Sequence, residues 1–130
     1  MSVLMTFRIA GDARRLEEFA ARNEQKMRDI AERAKQHGLI SHRFYGSDNE
    51  ILVVDEWPSP DDFQSFFSAT ESEIRPMMAE AGVSGEPTIT FWRKLDTKDD
   101  VGYERGSHGA RFTSAALTER GQSRASLEDP

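Results

Sequence analysis

The sequence predicts an α+β domain in which one four-stranded antiparallel sheet carries helices on a single face. The first observation behind this prediction is the order of the segments, which is strand, helix, strand, strand, helix, strand. The second is the segment at residues 50–63, which is typical of a buried strand running directly into a capped helix. At 130 residues, the chain is long enough for one such domain with its own core.

The first strand is predicted at residues 3–9, where every second side chain is apolar. Asp12 then suits the N-cap of a helix from Ala13 to His37, because apolar residues recur there at helical spacing. Gly38 indicates the end of this helix, since glycine accepts the left-handed backbone that often follows a last turn.

The second and third strands are predicted at residues 39–46 and 50–57, and the short polar turn between them favours a hairpin. The second helix begins with Ser59 as N-cap and Pro60 at the first helical position. We expect Pro76 to kink this helix or to split it near residues 71–73, because proline removes one intrahelical hydrogen bond.

The fourth strand is predicted at residues 88–95, after a glycine-containing loop. From there the composition turns to glycine, serine and charged residues. We therefore predict one domain at residues 1–97 and a polar C-terminal tail at residues 98–130 that is irregular or packed on a partner subunit.

Composition excludes several classes of function. The net charge is −6 and basic residues are interspersed with acidic ones, which argues against a nucleic-acid partner. Cysteine is absent and the three histidines lack a metal-binding spacing, so neither disulfides nor a metal site is expected. No stretch approaches the roughly 18 apolar residues of a membrane span, and the N-terminus is unlike a secretion signal. These features predict a cytoplasmic protein without a membrane partner.

The order of the elements and the right-handed crossover rule favour the ferredoxin-like βαββαβ sandwich. In that topology the first and third strands are central, which agrees with their apolar character on both faces. The face turned away from the helices would expose Leu4, Tyr45, Leu52, Val54 and Trp92. Because a monomer rarely leaves such an apolar surface in water, we expect a homodimer packed sheet against sheet.

The motif Glu56-Trp57-x-Ser59 at the end of the third strand, with Phe63 four residues later, resembles the antibiotic biosynthesis monooxygenase-like dimeric α+β barrel superfamily. The resemblance spans residues 1–97. It implies a dimer whose two sheets close into a barrel, with a cleft between sheet and helices for small organic molecules. Known members include oxygenases of aromatic polyketides and quinols that work without a cofactor, and haem-degrading enzymes.

The haem-degrading members use an Asn on the first strand and a Trp and a His on the second helix. The resemblance places Phe66 and Pro76 of this chain at those helix positions, and its first strand contains no Asn. Haem degradation is therefore disfavoured, and no cofactor is expected. An oxygenase of this kind needs an apolar cleft and a polar group that takes a proton or stabilises an oxyanion.

Two residues are candidates for that polar group. By alternation, His42 lies on the row that faces the helices, and imidazole exchanges protons near neutral pH. Asp55 lies on the same face of the third strand, where a carboxylate needs a partner or a function. The alternatives without a catalytic role are a hydrogen-bonded histidine at a strand edge and an aspartate paired with an arginine.

Five apolar side chains are the candidates for the lining of the cleft: Phe7, Trp57, Phe63, Phe67 and Met77. The alternative for each is ordinary core packing, and for Trp57 an anchor of the turn that follows it. Three functions are therefore predicted as rivals. They are a cofactor-independent monooxygenase of a small aromatic or quinol, a non-catalytic binder of a small apolar molecule, and an interaction module that uses the tail.

Overall fold

In the computed structural model of the protein, residues 1–103 are described. The chain divides into two units, Met1–Lys94 and Leu95–Pro130. The first unit contains, in order, β1 (Val3–Gly11), α1 (Ala13–Arg22), α2 (Glu24–Gln36), β2 (Ser41–Gly46), β3 (Glu50–Trp57), α3 (Pro60–Glu80) and β4 (Val83–Trp92).

In the second unit, residues 95–103 contain no helix or strand. The rest of the predicted tail at residues 98–130 lies outside the described residues. The boundary of the domain at residue 97 stays a prediction.

The four strands form one antiparallel sheet in the order β2-β3-β1-β4. The first and third strands are therefore central, and the second and fourth are the edges. This order confirms the ferredoxin-like βαββαβ architecture that the sequence predicts. The strand order is explained by the apolar character of the two central strands, because a central position removes the largest apolar area from water.

Cross-strand register separates the sheet into a helix-covered face and a bare face. The covered face carries two rows across the strands, His42-Asp55-Met5-Phe91 and Phe44-Val53-Phe7-Ile89. The bare face carries three rows, Ser41-Glu56-Leu4-Trp92, Arg43-Val54-Thr6-Thr90 and Tyr45-Leu52-Arg8-Thr88. Alternation along each strand is the cause of this separation, and it agrees with the faces expected from the sequence.

Two apolar clusters form the core between the covered face and the helices. One surrounds Trp57, which is fully buried against Phe63 and Phe66, together with Met5 and Ala34. The other joins residues of α1, β3, β4 and the C-cap of α3, namely Leu16, Phe19, Ile51, Ala81 and Val83. The two clusters lie at opposite ends of the sheet, and residues of both line a cavity between the sheet and the helices.

The predicted long helix from Ala13 to His37 is wrong at one point, because it is divided into α1 and α2 at Asn23. The backbone of Asn23 leaves the helical region, with φ −132° and ψ 41°. Its side-chain amide donates to the carbonyl of Phe19 at 2.9 Å, so the side chain competes for an acceptor at the end of α1. The predicted caps hold: Asp12 accepts from the amides of Arg14 and Arg15.

Of the two outcomes expected at Pro76, a kink or a split of the second helix, the split is wrong, since α3 is continuous from Pro60 to Glu80 with Pro76 inside it. Its start is as predicted, because the Ser59 hydroxyl accepts from the amide of Asp62. Pro76 removes one intrahelical hydrogen bond from α3. The helix tolerates this loss because the apolar side of its last turns, including Met77, is packed against the sheet.

The fourth strand begins five residues earlier than predicted and ends three residues earlier, at Val83 and Trp92. Its first residues pair with the extended end of β1, beyond a shift of register. Between the pairs Arg8-Thr88 and Ala10-Ser84, β4 has three residues where β1 has one, so β4 bulges. Gly85 makes this possible with a φ of +91°.

Candidate functional site

A cavity of about 110 Å³ lies between the covered face of the sheet and the helices α2 and α3. Twenty residues line it, and within the described part of the chain His42 and Asp55 are the polar side chains among them. The other eighteen are aliphatic, aromatic or methionine side chains. The cavity is thus apolar with one polar position.

The polar position is created by the register of the hairpin formed by β2 and β3. His42 and Asp55 are Cα partners in this ladder, so their side chains leave the sheet side by side on the covered face. The Nδ1 atom of His42 lies 2.7 Å from Oδ1 of Asp55. The structure thus joins the two polar residues selected from the sequence in one hydrogen-bonded pair.

Asp55 is buried, with 5% of its surface exposed, and both of its carboxylate oxygens are occupied. The indole Nε1 of Trp57 donates to Oδ2 at 3.0 Å, while His42 occupies Oδ1. Because an ionised carboxylate only accepts hydrogen bonds, His42 donates from Nδ1. Neutral His42 then carries its lone pair on Nε2.

This arrangement gives His42 the chemistry of a base. Nδ1 is held by Asp55, so Nε2 is the nitrogen available to a bound molecule. The side chain of His42 is 33% exposed, and it lines the cavity as well. A proton taken from a bound molecule can therefore pass to solvent without crossing the apolar interior.

The apolar part of the cavity contains a cluster of aromatic rings. Phe63 and Phe67 are stacked, with ring centroids 5.5 Å apart and planes inclined by 15°. Phe7 meets Phe67 edge-on at 6.1 Å. Together with Met77, these are four of the five side chains proposed from the sequence to line a cleft, and all four line this cavity.

Trp57, the fifth side chain, does not line the cavity. Its ring is fully buried between Phe63 and Phe66, at centroid distances of 5.7 Å from each. The structure therefore assigns it to packing, with its one polar atom directed at Asp55.

Sequence reasoning missed the contribution of α2 to the cavity. Met27, Ile30 and Ala31 of this helix line it, and so does Phe44, whose ring lies edge-on to His42 at 5.1 Å. The apolar spacing in α2 was a visible signal, but the same spacing is typical of ordinary core residues. A cavity-lining residue differs from a core residue because it faces an empty space, and the spacing of residues along the sequence does not show this.

A second, open groove of about 730 Å³ runs over the outer side of α2 and α3 and is lined mainly by charged residues. Arg33 connects the two helices through a bidentate ion pair with Glu73, in which the two hydrogen bonds measure 2.8 Å and 2.7 Å. This hydrogen-bonded pair raises the pKa of Arg33 and lowers the pKa of Glu73. Ile30 and Met77 line both the groove and the cavity.

Within residues 1–103, no group of three or more histidine, aspartate or glutamate side chains is placed to hold a metal ion. No helix in this part of the chain is both long and apolar enough to cross a membrane.

Comparisons with known proteins agree with this geometry at the level of the fold. No family model matches the sequence, and no curated protein matches it. Solved structures do match. A dimeric ferredoxin-like protein from an uncultured marine organism has a TM-score of 0.56 at 15% identity, covering 78% of this chain and 93% of that protein.

Two oxygenase structures match as well. An antibiotic biosynthesis monooxygenase gives a TM-score of 0.51 at 13% identity and covers 72% of this chain and 99% of its own. SnoaB, a cofactor-independent oxygenase from Streptomyces nogalater, gives 0.50 at 13% identity, with coverages of 76% and 97%. The chain has the antibiotic biosynthesis monooxygenase-like fold. This confirms the resemblance seen in the sequence, as a likeness of fold.

The antibiotic biosynthesis monooxygenase-like fold accounts for the position of the cavity. The sheet supplies one wall and its helices supply the other, so side chains on the covered face of β2 and β3 point into the space between them. At identities of 13–15%, these structures carry no residue role over to His42 or Asp55.

Proposed function

We propose that the protein is a homodimeric, cofactor-independent monooxygenase that oxidises a small aromatic molecule or quinol in the cavity between sheet and helices. The observation that carries this proposal is the His42–Asp55 pair, 2.7 Å apart, at the polar position of an otherwise apolar cavity. Solved structures of the same fold include a cofactor-independent oxygenase, which is consistent with the proposal.

The chemistry begins with removal of a hydroxyl proton. Nε2 of His42 takes the proton of a phenolic or quinol hydroxyl, and Asp55 stabilises the imidazolium that results. The electron-rich anion then reacts with O2. For a phenol the product is a quinone and water, and for a quinol it is a hydroxyquinone and water. In each case one oxygen atom enters the ring, the other leaves as water, and the substrate supplies all four electrons.

The homodimer in this proposal is supported by the bare face of the sheet. Leu4, Tyr45 and Trp92 are 42%, 50% and 51% exposed on it, and Leu52 and Val54 lie between them. Burial of this patch against a second copy removes apolar area from water and stabilises the pair. One protein of the same fold is described as dimeric. The cytoplasm as its location stays a prediction.

The test is oxygen consumption by the purified protein with a panel of one- and two-ring quinols, with an oxygen electrode and product mass. We expect one atom of labelled O2 to be incorporated into the product. This incorporation should be lost in a folded His42→Ala variant. Lys26→Ala is the matched control, because Lys26 is on the outer groove. Absence of oxygen uptake with every quinol would overturn the proposal.

A second function is favoured by one observation. Both carboxylate oxygens of Asp55 are already occupied within the chain, as in a structural carboxylate. A protein of this fold that only binds a small apolar molecule in the cavity would keep the same geometry. It would show a ligand-dependent rise of the melting temperature without any product.

A further inference from the structure

We propose that the cavity selects single-ring phenols, which place one hydroxyl against Nε2 of His42 and bury the rest of the ring among apolar side chains. This inference rests on the proposed function only for the chemistry that follows binding. The binding preference itself is argued from the size of the cavity, the position of its polar atoms and the hydrogen bonds that they already make.

The volume of the cavity favours a ligand with one ring over a ligand with two. The cavity measures about 110 Å³, and an engineered apolar cavity of about 150 Å³ in another protein holds one benzene molecule. The stacked rings of Phe63 and Phe67 and the edge-on ring of Phe7 are part of the wall of the cavity in this protein. Met27, Met77 and Met78 can adjust by a rotamer, which accommodates one ring and a methyl group.

Polarity limits the ligand to one buried hydroxyl. Among the described residues that line the cavity, His42 and Asp55 are adjacent partners in one ladder, so both polar side chains are at the same position. A second hydroxyl pointing away from them, as in a 1,4-quinol, would lose its hydrogen bonds with water and find none. We expect this loss to weaken binding roughly ten- to hundredfold. Of the two proposed substrate classes, the cavity therefore favours a phenol with one hydroxyl over a quinol.

Hydrogen bonding makes the hydroxyl a donor. Asp55 accepts one hydrogen bond at each oxygen, from His42 and from Trp57, and neutral His42 offers the lone pair of Nε2, so the pair presents acceptors to a ligand. A molecule that donates to Nε2 is favoured over one that only accepts. A phenol fits this demand, whereas its methyl ether has the same ring and no proton to donate.

The experiment measures anaerobic binding by titration calorimetry and amide chemical shifts with three probes: 4-methylphenol, 4-methylanisole and 2-naphthol. We expect 4-methylphenol to bind at least tenfold more tightly than 4-methylanisole, and 2-naphthol to bind most weakly. His42→Leu should reduce the affinity for 4-methylphenol to that for the ether. His37→Gln is the matched control, because His37 does not line the cavity and its replacement should leave all three affinities unchanged.

The inference would be overturned by equal affinity for the phenol and its ether. It would also be overturned if 2-naphthol bound more tightly than 4-methylphenol, or if none of the probes bound. The comparison of probes on the unmodified protein decides this even where His42→Leu does not fold. The two proposals fail separately. Selective phenol binding without oxygen uptake overturns the monooxygenase and leaves this inference, and oxidation of two-ring quinols by a protein that rejects 4-methylphenol does the reverse.

Discussion

The indole Nε1 of Trp57 lies 3.0 Å from Oδ2 of Asp55, two residues earlier on the same strand. Residues i and i+2 of a strand share a face, so a tryptophan at the end of β3 reaches the carboxylate without distortion of the backbone. Asp55 is thereby fixed from one side, and its other oxygen is directed at His42. The geometry of the candidate base therefore depends on a side chain that never touches the cavity.

Trp57→Phe should destabilise the protein, because it keeps most of the buried ring and removes the donor to a buried carboxylate. We expect a loss of about 1–3 kcal/mol in the free energy of unfolding, measured in urea. Thr70→Val is the control, since it removes a buried hydrogen bond to the neutral carbonyl of Phe66 at 2.8 Å. A smaller loss for Trp57→Phe than for Thr70→Val would contradict this account.

Asp55→Asn should abolish most of the oxygenase activity if the proposed function is correct. The amide no longer fixes the tautomer of His42 and no longer stabilises an imidazolium, so we expect kcat to fall by about 10²- to 10⁴-fold. Circular dichroism and the melting temperature check that the fold persists. Unchanged kcat in a folded variant would exclude the pair from the reaction.

Glu73 should make stability depend on pH in acid. The hydrogen bond from Arg33 holds the pKa of Glu73 below its ordinary value of 4.5 in the folded protein. The unfolded chain then binds more protons, so this contribution is complete above pH 4.5 and is lost as the pH falls through the folded-state pKa.

Urea unfolding between about pH 3 and pH 6 measures this effect, and Glu73→Gln should flatten the acid limb. Glu71→Gln is the matched control, because Glu71 pairs with Arg75 inside α3 and does not join two helices. An acid limb that is equally steep in Glu73→Gln would show that other groups cause it.

Leu4→Lys should convert the proposed dimer into a monomer. The change places a charge on a central strand of the bare face, opposite Glu56 and Trp92 in the ladder, where a second copy would have to desolvate it. Sedimentation at several concentrations measures the result. Ile40→Lys, at a similarly exposed apolar residue that precedes β2, should leave the oligomeric state unchanged.

A wild-type protein that sediments as a single copy at high concentration would contradict the dimer itself. So would a Leu4→Lys variant that remains dimeric while folded.

Much of the fold could be predicted because local and long-range signals agree. Alternation in β1 and β3 marks the covered face, and Ser59 with Pro60 marks the start of α3. The break at Asn23 could not be predicted, because a single side-chain hydrogen bond to Phe19 decides it within a continuous amphipathic pattern. The early start of β4 could not be predicted either, because glycine at position 85 is typical of a loop.

The candidate site could be predicted only in part. Alternation selects His42 and Asp55 as facing the helices, yet their hydrogen bond depends on the register of the hairpin, which the turn after Gly46 sets. The cavity itself is a property of packing. Side-chain volumes and helix positions decide whether Phe63 and Phe67 meet another residue or a void, and spacing along the chain carries no such information.

The bulge in β4 also governs how copies of the protein can meet in a crowded solution. An uninterrupted outer strand offers a row of free backbone groups that recruits further strands and seeds fibrils. Here the outer strand contains Gly85 in a left-handed conformation, an exposed Glu86, and Pro87, which has no amide hydrogen to donate. Lateral growth of the sheet into aggregates is thereby discouraged along this border.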